Sequence, residues 1–176
     1  MNTTDLATAD YATLPSPVGR LAVRTTDDVI TALDWADATD MTPASTPLQI
    51  EAARQLDAYF AGTLRDFDLP LAPEGTDHQK KVWAEMCWIP YGGLATYGDL
   101  AKAVGSAARA VGTACGKNPI PIIVPCHRVV ATGGGIGGYS GRGGLDTKRV
   151  LLNLEGLSPE GGGLDRSALE GGTAAR

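Results

Sequence analysis

Between residues 19 and 35 apolar and polar positions alternate with a period of two, and from residue 47 the apolar ones recur every three or four, so strands precede helices. Gly19 to Thr25 sets Leu21 and Val23 against Arg20 and Arg24, Val29 to Trp35 follows across Asp27-Asp28, and the two runs predict a hairpin. Residues 1 to 13 are polar and expected to be loose. After a polar loop from Thr39, Thr46 can cap a helix that has Pro47 in its first turn and Gln49 completing a capping box. Ile50, Ala53, Leu56 and Phe60 form its predicted inner face, and Gly62 ends it. Phe67, Leu69 and Leu71 alternate with Asp66, Asp68 and Pro70, which suits a short edge strand.

Pro73-Glu74-Gly75 reads as a linker. Thr76 and Gln79 form a second capping box, followed by Val82, Trp83, Met86 and Cys87 at helical spacing, which makes Cys87 a core thiol, before Pro90 and Gly92-Gly93. Thr96 caps a short helix to Val104 with Leu100, Ala101 and Val104 inward. Gly105 ends it, and Ser106 is expected to cap the next, Ala107 to about Cys115; two helices so closely joined predict a helix-turn-helix. The second is small-surfaced, with Arg109 its one long side chain among alanines, Gly112 and Thr113, which suits either helix packing in a core or close approach to another surface. Asn118-Pro119 breaks it, and Ile120 to Val124 reads as a buried strand. Gly133 to Gly144 is a glycine-rich loop, and a last helix, Asp146 to Glu155, turns Val150, Leu151 and Leu154 inward. The predicted organisation is an α+β chain: an N-terminal unit over residues 1–75, a mainly helical one over 76–156 with the helix-turn-helix and a strand leading to Cys126, and a disordered tail over 157–176.

Composition alters this picture in one respect. The 176 residues carry 15 Lys and Arg against 20 Asp and Glu, a net charge of -5 that by itself argues against a nucleic-acid partner. The charge is unevenly spread: residues 1–76 hold 4 basic and 12 acidic groups, whereas residues 77–156 hold 9 and 5. The helix-turn-helix therefore lies in the basic part. No stretch reaches the length of a membrane span and no secretory signal is evident, which places the protein in the cytoplasm. Cys87, Cys115 and Cys126 form no paired zinc or disulfide pattern, so neither a disulfide framework nor a cysteine-rich zinc site is expected.

The candidate chemistry sits at Cys126-His127. A thiol near its ordinary pKa of about 8.5 is only slightly ionised at neutral pH, so a nucleophilic Cys126 needs a base. On an extended strand neighbouring side chains face opposite ways, so His127 reaches Cys126 through a turn or through a bridging water. A further acid must orient the imidazole, and Glu155 is one candidate.

The run I-P-I-I-V-P-C-H-R-V-V at 120–130 resembles the active-site signature of the O6-alkylguanine-DNA alkyltransferases. A-A-R-A-V-G at 107–112, G-K-N-P at 116–119, G-Y-S-G at 138–141 and L-L-N-L-E-G at 151–156 resemble further motifs of that family in order. The resemblance implies a ribonuclease H-like N-terminal subdomain and single-use DNA repair, in which Cys126 takes the alkyl group from O6-alkylguanine, with O4-alkylthymine as a further candidate substrate, in double-stranded DNA. It implies a monomer without cofactor or metal. His127 would act through water as base with Glu155 orienting it, Asn118 would brace the turn, and Tyr97 would hydrogen-bond the guanine ring. Val129, Tyr139 and Ser140 would line the base pocket, while Ala107 and Gly112 allow close approach and Arg109 fills the stack left by a flipped nucleotide. Cys115 would form a pocket wall, near enough to Cys126 to crosslink on oxidation. Among the departures from the family pattern, His78 stands where an aromatic residue is common, and G-R-G-G at 141–144 adds residues beside the pocket. The competing class is a non-catalytic damage sensor; such relatives replace the reactive cysteine, which this chain keeps.

Overall fold

The computed structural model describes residues 10–158. Strands β1 (Tyr11–Leu14), β2 (Leu21–Thr26) and β3 (Val29–Trp35) form an antiparallel meander in the order β1-β2-β3. Asp27 and Asp28, at φ 49° and 61°, supply the left-handed two-residue turn that matches strand twist in a tight hairpin. The hairpin is as expected, but Tyr11–Leu14 is a strand rather than loose chain: Ala12 and Leu14 are buried, and Thr13 donates its N–H to Thr42 O at 2.8 Å. Helix α1 (Pro47–Phe60) lies on this sheet, its start closed by the Thr46–Gln49 capping box.

Its buried face differs from the predicted one. Gln49, Ala52, Gln55, Leu56 and Tyr59 point inward, and Ile50 is 56% exposed. The polar residues are tolerated inside because they are hydrogen-bonded, Gln49 to Thr25 and Gln55 to both the N–H and the carbonyl of Asp68. The expected strand at 67–71 is reduced to one parallel bridge between Leu71 and Ile30.

Helix α2 (Asp77–Met86) starts at the Thr76–Gln79 capping box and buries Val82, Trp83 and Met86; Cys87 lies past its end and is exposed, not in the core. Strand β4 (Ala95–Thr96) leads into helix α3 (Tyr97–Val104), which Thr96 caps and Gly105, at φ 66°, terminates. Helix α4 (Ala108–Gly116) packs on α2 and α3, and the indole N–H of Trp83 donates to Ala114 O at 2.8 Å. Ser106 does not cap α4. Its hydroxyl pairs with His78 Nε2 at 2.8 Å, so His78 joins α2 to the turn between α3 and α4.

The segment 120–124 is a buried turn, not a strand. Pro121 offers no N–H for a ladder, Ile122 takes φ 73°, and Val124 N–H closes back on Ile120 O at 2.9 Å. Cys126–Arg128 forms one 3₁₀ turn, and strand β5 (Val129–Val130) begins only after it, pairing in parallel with β4. Helix α5 (Leu145–Leu154) closes the fold with Leu151 and Leu152 buried, while Val150 is exposed against expectation. Most of the proposed 157–176 tail lies outside the described residues.

Candidate active site

Asn118 is held where α4 ends. Its Oδ1 accepts from Ile120 N–H at 3.0 Å and its Nδ2 donates to Val124 O at 2.9 Å, so one side chain spans the turn that delivers Cys126. The N-terminal sheet braces the same turn, with Leu33 N–H donating to Pro119 O at 2.9 Å. A β-branched residue at positive φ is strained, and Ile122 keeps that conformation because every residue from 120 to 130 is buried around it.

His127 and Glu155 meet as expected, 2.7 Å apart between Nε2 and Oε1, both wholly buried at the side chain. The carboxylate is also held by residues that the sequence reading missed. Tyr59 donates its hydroxyl to Oε1 at 2.7 Å, Arg128 donates from Nη2 to Oε1 at 3.0 Å and from Nε to Oε2 at 2.9 Å, and Gly92 N–H reaches Oε2 at 3.2 Å. Burial works to raise the Glu155 pKa, but the hydrogen bonds of His127 and Arg128 and the Arg128 charge outweigh it and hold the carboxyl down to about 2. Burial lowers the His127 pKa, against the pull of Glu155. Arg128 already balances the Glu155 charge, so the imidazole is neutral, donates from Nε2–H to the carboxylate and leaves Nδ1 as its basic nitrogen. Nδ1 is buried and has no protein partner.

Burial raises the Cys126 pKa, and four features oppose it: a hydrogen bond from Asn118, the Lys148 charge, and the backbone N–H groups of Cys126 and His127. Lys148 is a further residue that the sequence reading missed. It is fully buried on α5, donates from Nζ to Val129 O at 2.6 Å and to Gly138 O at 3.0 Å, and burial brings its pKa down to about 8. A buried ammonium that near to Cys126 favours the thiolate.

Cys126 opens onto a cavity of about 200 Å³ lined by Tyr97, Gly112, Cys115, Gly116, Gly138, Tyr139 and Ser140. That is smaller than the ~300–1,000 Å³ of sites for drug-sized ligands and suits one flat ring system. Tyr97, Gly112, Cys115, Tyr139 and Ser140 are thus brought together, and Cys115 Sγ lies 3.6 Å from Met86 Sδ. Val129 is not in the lining: its side chain is buried in the core, and its carbonyl serves Lys148. Ala107 and Arg109 stand outside the cavity, exposed with Ala108 and Ala110 on the outer face of α4, while Val111, Ala114 and Cys115 face inward. Core packing therefore explains Ala114 but not the first turn of α4, which meets solvent. Among the described residues no cluster of His, Cys, Asp and Glu could hold a metal ion, and no helix is long and apolar enough to cross a membrane.

A helix-turn-helix whose second helix walls a base-sized cavity, with a thiol, an imidazole and a carboxylate in sequence behind it, defines a DNA-binding protein built around a cysteine nucleophile. Comparison with known proteins narrows that class. Residues 77–157 match the sequence model of the 6-O-methylguanine DNA methyltransferase DNA binding domain, and residues 10–73 match that of the ribonuclease-like domain of the same proteins. A methylated-DNA–protein-cysteine methyltransferase of Mycolicibacterium paratuberculosis is 45% identical over 154 residues, 83% of this chain and 92% of its own. The Methanosarcina acetivorans protein of that name is 57% identical over 108 residues, 60% of this chain and 68% of its own. A crystal structure of Mycobacterium tuberculosis OGT in complex with DNA superposes with a TM-score of 0.73 at 46% identity, covering 82% of this chain and 91% of that one. The chain belongs to the 6-O-methylguanine DNA methyltransferase family.

Proposed function

We propose that this protein repairs DNA by moving the alkyl group of O6-alkylguanine irreversibly onto Cys126, acting as a monomer on double-stranded DNA in the cytoplasm. The carrying observation is Cys126 at the cavity, backed by His127 and Glu155. The flipped base enters between Tyr97 and Tyr139. His127 Nδ1 takes the Cys126 proton through a water, Sγ attacks the alkyl carbon in line, and the C–O6 bond breaks as the S–C bond forms. The electron pair passes to the guanine, and a proton supplied by way of Tyr97 lets it leave neutral. The thioether cannot return the thiol, so each molecule acts once. In this reading residues 76–156 bind DNA and accept the alkyl group, and residues 1–75 support them.

The test is to incubate the protein with duplex DNA containing O6-methylguanine and map the product by mass. One methyl gained on the Cys126 peptide, saturating at one per protein, is expected. Folded protein that leaves the lesion intact would favour the damage-sensor reading, and continued turnover would indicate a thiol hydrolase.

The exposed first turn of α4 supports entry of that helix into the minor groove, with Arg109 in the gap of the flipped nucleotide. Flipping costs a few kcal/mol. Arg109→Ala is therefore expected to slow methyl transfer by roughly 10- to 100-fold while weakening binding to undamaged duplex only as the loss of one phosphate-scale contact would. Single-turnover rates set against affinities at two salt concentrations check this; equal losses in both would remove Arg109 from the flipping step.

A further inference from the structure

The loop from Gly138 to Gly144 carries two walls of the cavity, Tyr139 and Ser140, and contains the G-R-G-G run that departs from the family pattern. It has no strand or helix of its own, yet it is tied down at several points. Lys148 Nζ holds Gly138 O at 3.0 Å. Thr147, buried on α5, donates its hydroxyl to Arg142 O at 2.5 Å. The Arg142 guanidinium then reaches the other half of the molecule and donates to Ala36 O at 3.0 Å, just past the end of β3. Beside it Gly141 fills a slot between two rings: a β-carbon there would collide with Tyr139 and come within 2.7 Å of Trp35 Cη2. Trp35 itself is fixed by its indole N–H, which donates to Val18 O at 2.9 Å.

We propose that Trp35 and Arg142 form a latch through which the N-terminal sheet sets the position of Tyr139 and Ser140, making both of them positioning residues for base recognition. The inference rests on the methyl-transfer reading above and adds a role for the N-terminal unit beyond support. The order of contacts is continuous: Val18 carbonyl, Trp35 indole, Gly141 backbone, Tyr139 ring, cavity. Neither latch residue lines the cavity with Cys126. Loosening the latch therefore misplaces the base without altering the thiol, and misplacement by about 1 Å can cost on the order of 100-fold in rate.

The variants are Arg142→Ala, Trp35→Ala, Trp35→Phe and Gly141→Ala in the full chain. Four quantities are read: the single-turnover rate of methyl transfer from O6-methylguanine duplex at saturating DNA, duplex affinity, the rate at which iodoacetamide alkylates Cys126, and amide hydrogen exchange over 138–144. The expected result for Arg142→Ala and Trp35→Ala is transfer slowed by roughly 10- to 100-fold with affinity and iodoacetamide reactivity within about twofold of wild type, and faster exchange in the loop. Trp35→Phe, which keeps a ring against Gly141 but loses the indole N–H to Val18 O, recovers only part of the rate, and Gly141→Ala slows transfer by pushing the two rings apart. Exposed Arg142 keeps the test valid if Trp35→Ala fails to fold. Unchanged transfer in Arg142→Ala and Gly141→Ala would overturn the latch, as would a parallel fall in iodoacetamide reactivity. If the wild-type protein transfers no methyl group, the methyl-transfer reading fails instead, and unchanged loop exchange in Arg142→Ala then decides against the latch independently.

Discussion

Replacing Glu155 by leucine is expected to remove about 3–5 kcal/mol of stability, the usual cost of stranding one partner of a buried ion pair. Arg128 would be left 5% exposed with no carboxylate, and the buried Tyr59 hydroxyl and His127 Nε2–H would each lose their acceptor. Set against a typical total of about 5–15 kcal/mol, that loss consumes much of the folding free energy. Urea denaturation measures it; a cost under about 1 kcal/mol, the value for exposed pairs, would mean that the buried cluster contributes no more than a surface ion pair. Pairing Glu155→Leu with Arg128→Met should recover a large part, because apolar residues replace a buried pair far better than they replace one half of it. The same cluster sets the acid limit. His127, depressed below 6.5 by burial, and Glu155, depressed from 4.5 to about 2, both take up protons more readily in the unfolded chain. Both contributions are therefore full above the unfolded pKa values and are lost as pH falls, first below about 6.5 and then between about 4.5 and 2. Thermal midpoints measured from pH 7 to pH 3 should fall throughout that window; a flat profile would contradict a neutral, buried imidazole.

Cys126→Ala is expected to abolish methyl transfer and leave duplex binding within a few-fold of wild type. Cys126 is the proposed acceptor at the cavity, whereas the residues assigned to DNA contact, Arg109 and the exposed first turn of α4, are untouched. Loss of one small buried side chain costs on the order of 1 kcal/mol, so the variant should fold. Any methyl gain in this variant would move the acceptor elsewhere, and Cys115, in the same cavity, would be the next candidate.

Several elements could be read from the chain because their determinants are local. The boxes Thr46–Gln49, Thr76–Gln79 and the Thr96 cap all form, since each needs only residues three positions apart. The inner face of α1 was misread for a complementary reason. Its apolar residues permit more than one face, and the choice was made by distant partners: Thr25 for Gln49, Asp68 for Gln55, Glu155 for Tyr59. Ile120 to Val124 has a strand's composition, but the Asn118 side chain and Pro121 convert it to a turn. The Cys126-His127 pair, Asn118, Tyr97 and Glu155 stood out through the resemblance of their motifs. Tyr59 and Lys148 gave no signal, for a single tyrosine or basic residue in an amphipathic helix reads as surface until its partner is known, and Arg128, although inside the run at 120–130, shows its role only once Glu155 is seen against it.

The amino-acid order by itself determined which segments are helical, where a helix-turn-helix falls, and that a cysteine and a histidine arrive together after an apolar run, because periodicity, capping and motif spacing act over a few residues. Only the tertiary structure decided that residues 59, 92, 127 and 128 converge on the Glu155 carboxylate, that a buried Lys148, held on the Val129 and Gly138 carbonyls, puts its charge within range of the thiol, and that Trp35 reaches the loop at 138–144. Those arrangements join groups up to 106 residues apart, and their free energy comes from burying charge and hydrogen-bonding groups together, which no local pattern encodes.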